Sequence, residues 1–505
     1  MLSSNKRIAK NTIALYLRQI VVLSVSLYTY RIILANLGVV DFGIYSVVGG
    51  VVAMFSLLSN SMSTATTRFL TFDLGKGDSK QVCQTFNLSL LAYAGVSIVI
   101  VLIAETLGLW FVNTQLVIPQ ERMESAFFVY QFAIIAFIAT ICATPFSASI
   151  IAHENMSIYA YVSIFDALFK LLIAFLIENE SSDKLILYGG MLSILSVGIA
   201  LFYLIYCLSH YKECRFTKVW NKEKFFQIFS FAGWNLFGAA ANLIKGQGTN
   251  ILLNIFFGPA VNAARAIAMQ INSAVCTFAQ NFFTAVQPQI VKNFASNQIE
   301  KMTTLMFRSG KLTFVLMLLI VSPLFWETPQ ILLFWLKQVP ESTVIFARLI
   351  LIESLIESMS YPIGTALNAT GKIKAYQSIV GGIQILNLPI SFIFLSMGGQ
   401  AHYVMVISIF VSISAFIARL FLLQKNMSFS VFNYFMHVIL VSLFILILAT
   451  IIPAIIHLLV KESAARLIIT IASTTISISF FYGLIGLNSI ERKKIISLLK
   501  TKMNF

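Results

Sequence analysis

The sequence predicts an all-α polytopic membrane protein, and three observations carry that expectation. Hydrophobic residues make up 58% of the 505-residue chain and charged residues only 11%, with a mean hydropathy of +0.86. A soluble domain is about a quarter charged. Apolar stretches of about 20 residues or more, enough for a helix to span a bilayer, follow one another along the whole chain. The basic residues collect in alternate connections between those stretches.

We place about fourteen transmembrane helices, at 11–36, 43–67, 84–112, 125–151, 157–178, 184–208, 225–256, 260–290, 309–333, 342–369, 375–397, 401–424, 430–458 and 464–487. The first follows Lys6, Arg7 and Lys10, but it is about twice as long as a signal-peptide core and lacks a small-residue cleavage site. It therefore reads as a span. The second starts after the turn "LGVVDFG" (37–43) and ends in "TTRFL", where Arg68 reads as a cytoplasmic anchor. The seventh contains "NLIKGQGTNILLN", whose two glycines and polar Asn242, Gln247, Thr249, Asn250 and Asn254 predict a loosened helix beside water. The longest connections, 209–224 and 291–311, leave no room for a soluble domain on either face.

With the N-terminus inside, 23 of the 35 Lys and Arg residues fall on the inner side and 5 in outer loops (Arg122, Lys184, Lys337, Lys461 and Arg466). Seven lie within the spans: Arg18, Arg31, Lys170, Lys245, Arg265, Arg348 and Arg419. This asymmetry places both termini in the cytoplasm. It also accounts for the net charge of +15 as topology, so no nucleic-acid partner is expected.

The chain repeats itself at two places. At an offset of 220, Gly38 falls on Gly258 and Thr64-Ala65 on Thr284-Ala285. At 217, Pro145 meets Pro362, Ala152 meets Ala369 and Tyr159 meets Tyr376. A six-helix unit is even-numbered, so both copies share one orientation. The expected organisation is an N-lobe at 1–208 (helices 1–6), a cytoplasmic linker at 209–224 and a C-lobe at 225–424 (helices 7–12). Helices 13–14 and a basic cytoplasmic tail complete the chain at 425–505. The two parallel six-helix lobes are expected around a central cavity.

Charge inside a span is costly, about 2.5–3.5 kcal/mol at the centre. Arg31, Arg348 and Arg419 lie near helix ends, where long side chains snorkel to the interface. Asp166 and Lys170 are four apart on helix 5 and read as an ion pair. Arg18, two turns into helix 1, Lys245, near the middle of helix 7, and Arg265, in "NAARAIAMQIN", have no such account. With Arg31 they form the candidate cationic cavity. Glu353 and Glu357 share one face of helix 10, where two carboxylates repel unless protonated, cation-bound or paired with a base. They read either as partners of Arg348 or Lys245, or, with Asp166, as an ion-coupling site for protons or sodium.

No enzyme chemistry emerges. The five cysteines form no CxxC pair, the five histidines have no metal-ligand spacing, and no Walker loop, GxSxG or nucleotide fingerprint occurs. No metal and no cofactor is expected, and ATP is not the direct energy source.

The segments "KRIAKNT", "LGVVDFGIYSVVGG", "TTRFLTFDLGKGD" and "ALNATGK" resemble those of a Wzx-type O-antigen or capsule flippase. That family lies within the multidrug/oligosaccharidyl-lipid/polysaccharide exporter superfamily. The resemblance implies alternating access and a polyprenyl-diphosphate-linked oligosaccharide carried from the cytoplasmic to the outer leaflet of a bacterial inner membrane. It implies an arginine in the first helix, here Arg18, and a possible lipid-tail groove at helices 13–14. Polymerases and glycosyltransferases of polysaccharide export are its expected partners, alongside the lipid-linked oligosaccharide and the bilayer. Alternatives are a lipid II-type flippase, a cation-drug exporter of the same superfamily, or a membrane O-antigen polymerase or glycosyltransferase. Drug exporters tend to carry acidic groups in the N-lobe cavity, whereas Arg18 and Arg31 are basic. Polymerases and glycosyltransferases need a long outer loop or an acidic catalytic motif, and here outer loops are short and Asp41 stands alone.

Overall fold

The computed structural model describes residues 2–53, 55–114, 118–178, 180, 183–217, 220–336, 339–487 and 492. Lys218, Lys337 and all of the basic tail except Arg492 lie outside the described residues. Among the described residues every regular element is helical, as a chain that must satisfy its backbone inside hydrocarbon requires.

Each of the fourteen expected spans coincides with a helix. A continuous run, Leu2–Ala53, is broken at Gly38 (φ 75°, ψ 171°), which separates α1 (2–37) from α2 (39–53, continuing as Ser56–Lys76). The others are α3 (Ser79–Thr114), α4 (Gln120–Ala152), α5 (Met156–Leu176), α6 (Lys184–His210) and α7 (Lys222–Phe257). Then come α8 (Pro259–Ala295), α9 (Ile299–Trp326) and α10, the pair Thr343–Ser358 and Tyr361–Thr370. The series ends with α11 (Ile373–Ser396), α12 (Tyr403–Asn426), α13 (Val431–Leu459) and α14 (Ala464–Gly486). Ten of these passages are long and apolar enough to cross a membrane by length and composition. The continuation of α2, together with α7 and α8, falls short because polar residues occupy part of each, and α10 because it is divided into segments of 16 and 10 residues.

The repeat seen in the sequence returns as backbone geometry. Gly38 (φ 75°) and Gly258 (φ 81°) are both left-handed, as are Gly77 (φ 74°) and Asn297 (φ 56°), each pair 220 apart. Glu154 (φ 62°) and Gly371 (φ 76°) repeat this at 217. Turns that need positive φ therefore recur in register in the two halves, although two of the six positions are not glycine.

The chain divides into two compact units, residues 1–239 with 294–296 and residues 240–293 with 297–505. The sequence placed this division at the 209–224 linker; the structure places it halfway along α7. Contacts explain the shift. Lys224 Nζ donates to Asp73 (2.9 Å) and to the Gln81 carbonyl (3.2 Å), and Phe231 packs edge-on against Phe69 (5.6 Å). These ties join the first half of α7 to α2 and α3.

Two cores are formed among the described residues of the first unit. One gathers Ile33, Ile44, Val48, Val129, Tyr130 and Tyr188; the other gathers Leu70, Phe86, Phe146, Val162 and Tyr203. The second unit is centred on Leu253, Ala264, Phe346, Ile350 and Val404. Within it α14 docks on α9 at two levels. Glu327, fully buried, receives Arg466 (2.9 Å) and Thr470 (3.0 Å), and Lys311 Nζ donates to the Gly486 carbonyl (2.8 Å).

Candidate functional site

In the first unit, Arg18 lies on α1 with its guanidinium over the ring of Tyr159, 5.0 Å from the centroid. Among the described residues its Nε is buried and has no hydrogen-bond partner. A guanidinium held by an aromatic face alone retains most of its hydrogen-bonding capacity for an incoming acceptor. Arg31 is exposed on the same helix. Asp166 is neutralised by Lys170 (2.7 Å), the pair its spacing predicts. Three further acids of this unit are also matched. Asp41 and Asp183 both receive Arg122, and Asp73 receives Lys224.

Arg68, expected at the interface, is instead 6% exposed and stacks on Phe69, Phe72 and Phe231. Its aromatic neighbours hold the cation against the protein, so it does not snorkel. Arg466, counted with the outer loops, is 3% exposed because Glu327 draws it inside.

In the second unit the candidates do not form one set of unmatched cations. Lys245 donates to Glu353 (2.6 Å) and to Ser412 (3.3 Å), whose hydroxyl donates to Glu353 (2.7 Å) and lies 3.5 Å from Glu357. The lysine charge expected to face a ligand is thus neutralised by a carboxylate, the alternative its sequence context left open. Arg265 is 7% exposed, bonds to the Asn250 side chain and keeps a buried Nε without a partner. Arg348 donates to the Phe325 carbonyl (3.0 Å) and stacks on that ring, so it is not Glu353's partner.

Sequence reasoning missed two charge clusters. Arg122 bridges Asp41 and Asp183, with Ser125 donating to Asp183 at 2.6 Å. Burial raises the Asp183 carboxyl, but hydrogen bonds from Ser125, Arg122 and the Ile186 backbone outweigh it and hold it below the usual carboxylate range. The second is Glu327 with Arg466. Complementary signs were the only signal for either, since the partners lie 61 to 139 residues apart. Among the described residues no group of three or more His, Cys, Asp or Glu side chains has metal-binding geometry. A crevice of about 690 Å³ between α5 and α6, lined by Tyr161, Phe165, Phe169 and Phe202 among others, is apolar throughout and holds no ionic chemistry.

A long helical chain with charges placed inside its spans has the architecture of a polytopic membrane protein. Residues 245–393 match the MatE family. The chain has the fold of solved MATE transporters. It superposes on "MATE in complex with MaD3S" with a TM-score of 0.70 at 13% identity, over 84% of this chain and 97% of that one. An outward-facing multidrug resistance MATE transporter of the MOP superfamily gives 0.71 at 13%, over 83% and 96%. A MOP superfamily transporter from Pyrococcus furiosus, described as having a binding pocket of reverse polarity, gives 0.65 at 12%, over 83% and 96%. No curated protein matches the sequence. The solved structures whose fold this chain shares include proteins described as transporters.

Proposed function

We infer that this protein is an alternating-access flippase for a polyprenyl-diphosphate-linked oligosaccharide, set in a bacterial inner membrane with both termini in the cytoplasm. The observation that carries this reading is Arg18, a guanidinium inside the first helix whose buried Nε lacks a partner. A diphosphate brings about two negative charges and planar pairs of acceptor oxygens, which suit a guanidinium fork. Arg31, exposed on the same helix, adds to the attraction, while Asp41, Asp73 and Asp166 are matched by bases. An organic cation would find no unmatched carboxylate among these, so the sign of the charge favours an anionic cargo over a cationic drug.

The test is complementation of a strain lacking the protein. Arg18→Ala should abolish export at normal protein levels, and Arg18→Lys should retain part of it because a point charge survives without the fork. Full export by Arg18→Ala would overturn the reading.

Coupling to protons or sodium belongs to the same proposal. Glu353 is matched by Lys245, whereas Glu357 meets only the Ser412 hydroxyl at 3.5 Å among its hydrogen-bonding partners. Glu357 is therefore the carboxyl that exchanges an ion during the cycle.

A further inference from the structure

The exposed side of α8 carries a polar stripe, with Ala266, Met269 and Ala274 exposed beside it. Gln270, Ser273 and Gln280 are exposed, and Thr277, Thr284 and Gln287 are partly so. At 3.6 residues per turn these six positions fall on one stripe. The continuation of α2 carries a shorter version, with Asn60 exposed, Ser63 and Thr64 partly exposed and Thr67 at its buried edge.

The two stripes correspond. At the offset of 220 that relates Gly38 to Gly258, Asn60 falls on Gln280, Thr64 on Thr284 and Thr67 on Gln287. The local bonding corresponds too. Thr64 Oγ1 donates to the Asn60 carbonyl (3.0 Å), and Thr284 Oγ1 donates to the Gln280 carbonyl (2.8 Å). Each hydroxyl is fixed as a donor to its own helix, so its lone pairs point outward as acceptors beside an amide that both donates and accepts.

Exposed amides at membrane depth are unfavourable against lipid and tolerable only against water or a polar ligand. Both helices are absent from the set apolar enough to cross a membrane by composition. Neither stripe contains an acidic residue, so neither suits an organic cation. Neither contains a basic one, so neither suits the diphosphate. Neutral groups that donate and accept side by side match vicinal sugar hydroxyls.

We propose that these amide–hydroxyl ladders, Asn60–Thr64–Thr67 in the first unit and Gln280–Thr284–Gln287 in the second, are carbohydrate-binding surfaces that hold the glycan of the cargo. The inference rests on the flippase reading and adds where the sugar is recognised. Tyr361, whose ring packs against Phe283 of α8 (5.8 Å between centroids), supplies an aromatic ring near the second ladder.

The experiment measures binding to the full-length protein in nanodiscs. The two probes are polyprenyl diphosphate without sugar and the polyprenyl-diphosphate-linked oligosaccharide extracted from cells lacking the protein. Wild type should bind the glycosylated lipid about tenfold more tightly than the bare one, the order expected from one or two net hydrogen bonds. Asn60→Leu/Gln280→Leu should cut that advantage below about threefold while leaving the bare lipid's affinity unchanged. Equal affinities in wild type, or an advantage intact in the double variant, would overturn the proposal. If wild type binds neither lipid, the flippase reading itself fails and this inference falls with it. A second readout guards against misfolding. With the five native cysteines replaced, single cysteines at positions 60 and 280 should react with a polar thiol reagent. The glycosylated lipid should slow that reaction and the bare lipid should not; equal protection by both contradicts the assignment.

Discussion

Single residues divide into those whose role follows from spacing and those whose role follows from a distant partner. Asp166 and Lys170 were legible because four residues on a helix place two side chains together. Lys245 and Glu353, 108 apart, were legible only as opposite signs. His153 and Glu213 carried no sequence signal, yet His153 Nε2 lies 2.8 Å from the Glu213 carboxylate and the ring stacks on Tyr211 at 4.1 Å. The close contact with His153, against some burial, holds Glu213 below the usual glutamate range. A carboxyl with a lowered folded-state pKa contributes stability above its unfolded value, about 4.3, and loses it as pH falls through the folded value. Thermal unfolding in detergent should therefore show Glu213→Gln less stable than wild type near pH 7, with the gap closing below about pH 4. A gap independent of pH would show that the pair contributes nothing through ionisation. For Glu357, the Gln variant should slow turnover while sparing binding of the lipid-linked diphosphate. Normal turnover that ignores imposed proton and sodium gradients would make the carboxyl structural.

Elements are set by hydropathy, and their ends by chemistry that hydropathy does not report. All fourteen helical passages were readable, and so were the turn sequences "LGVVDFG" and "ALNATGK", whose Gly38 and Gly371 have positive φ. Gly38 combines φ 75° with ψ 171°, a region almost closed to side chains, although an added Cβ would meet nothing within 4 Å. Gly38→Ala should therefore cost about 1–3 kcal/mol through backbone strain alone, seen as a lower unfolding temperature without loss of packing. Docking of α14 was not readable, because Glu327 and Arg466 are 139 residues apart. Arg466→Met leaves a fully buried carboxylate with only the Thr470 hydroxyl and the His457 ring, 3.7 Å away, as polar neighbours and should destabilise by about 3–5 kcal/mol. Glu327→Leu/Arg466→Met should recover much of that loss. A double variant no more stable than Arg466→Met would show that the pair is needed for more than charge balance.

For the whole molecule, the even-numbered repeat predicted two similarly oriented halves, and the recurrence of left-handed turns at offsets of 220 and 217 supports that duplication. The unit boundary was less legible, since ties from Lys224 and Phe231 override the polar linker. Topology follows from the distribution of basic residues: a cysteine at exposed Ser463 should react with an impermeant reagent from outside, and one at exposed Lys372 should not. The reverse pattern would invert the orientation. Cargo is the central claim, and the most direct measurement is the glycolipid content of cells in which the gene is deleted. The account predicts that a lipid-linked oligosaccharide accumulates on the cytoplasmic leaflet and clears when wild type, but not Arg18→Ala, is restored. No accumulation, together with loss of organic-cation efflux, would contradict it.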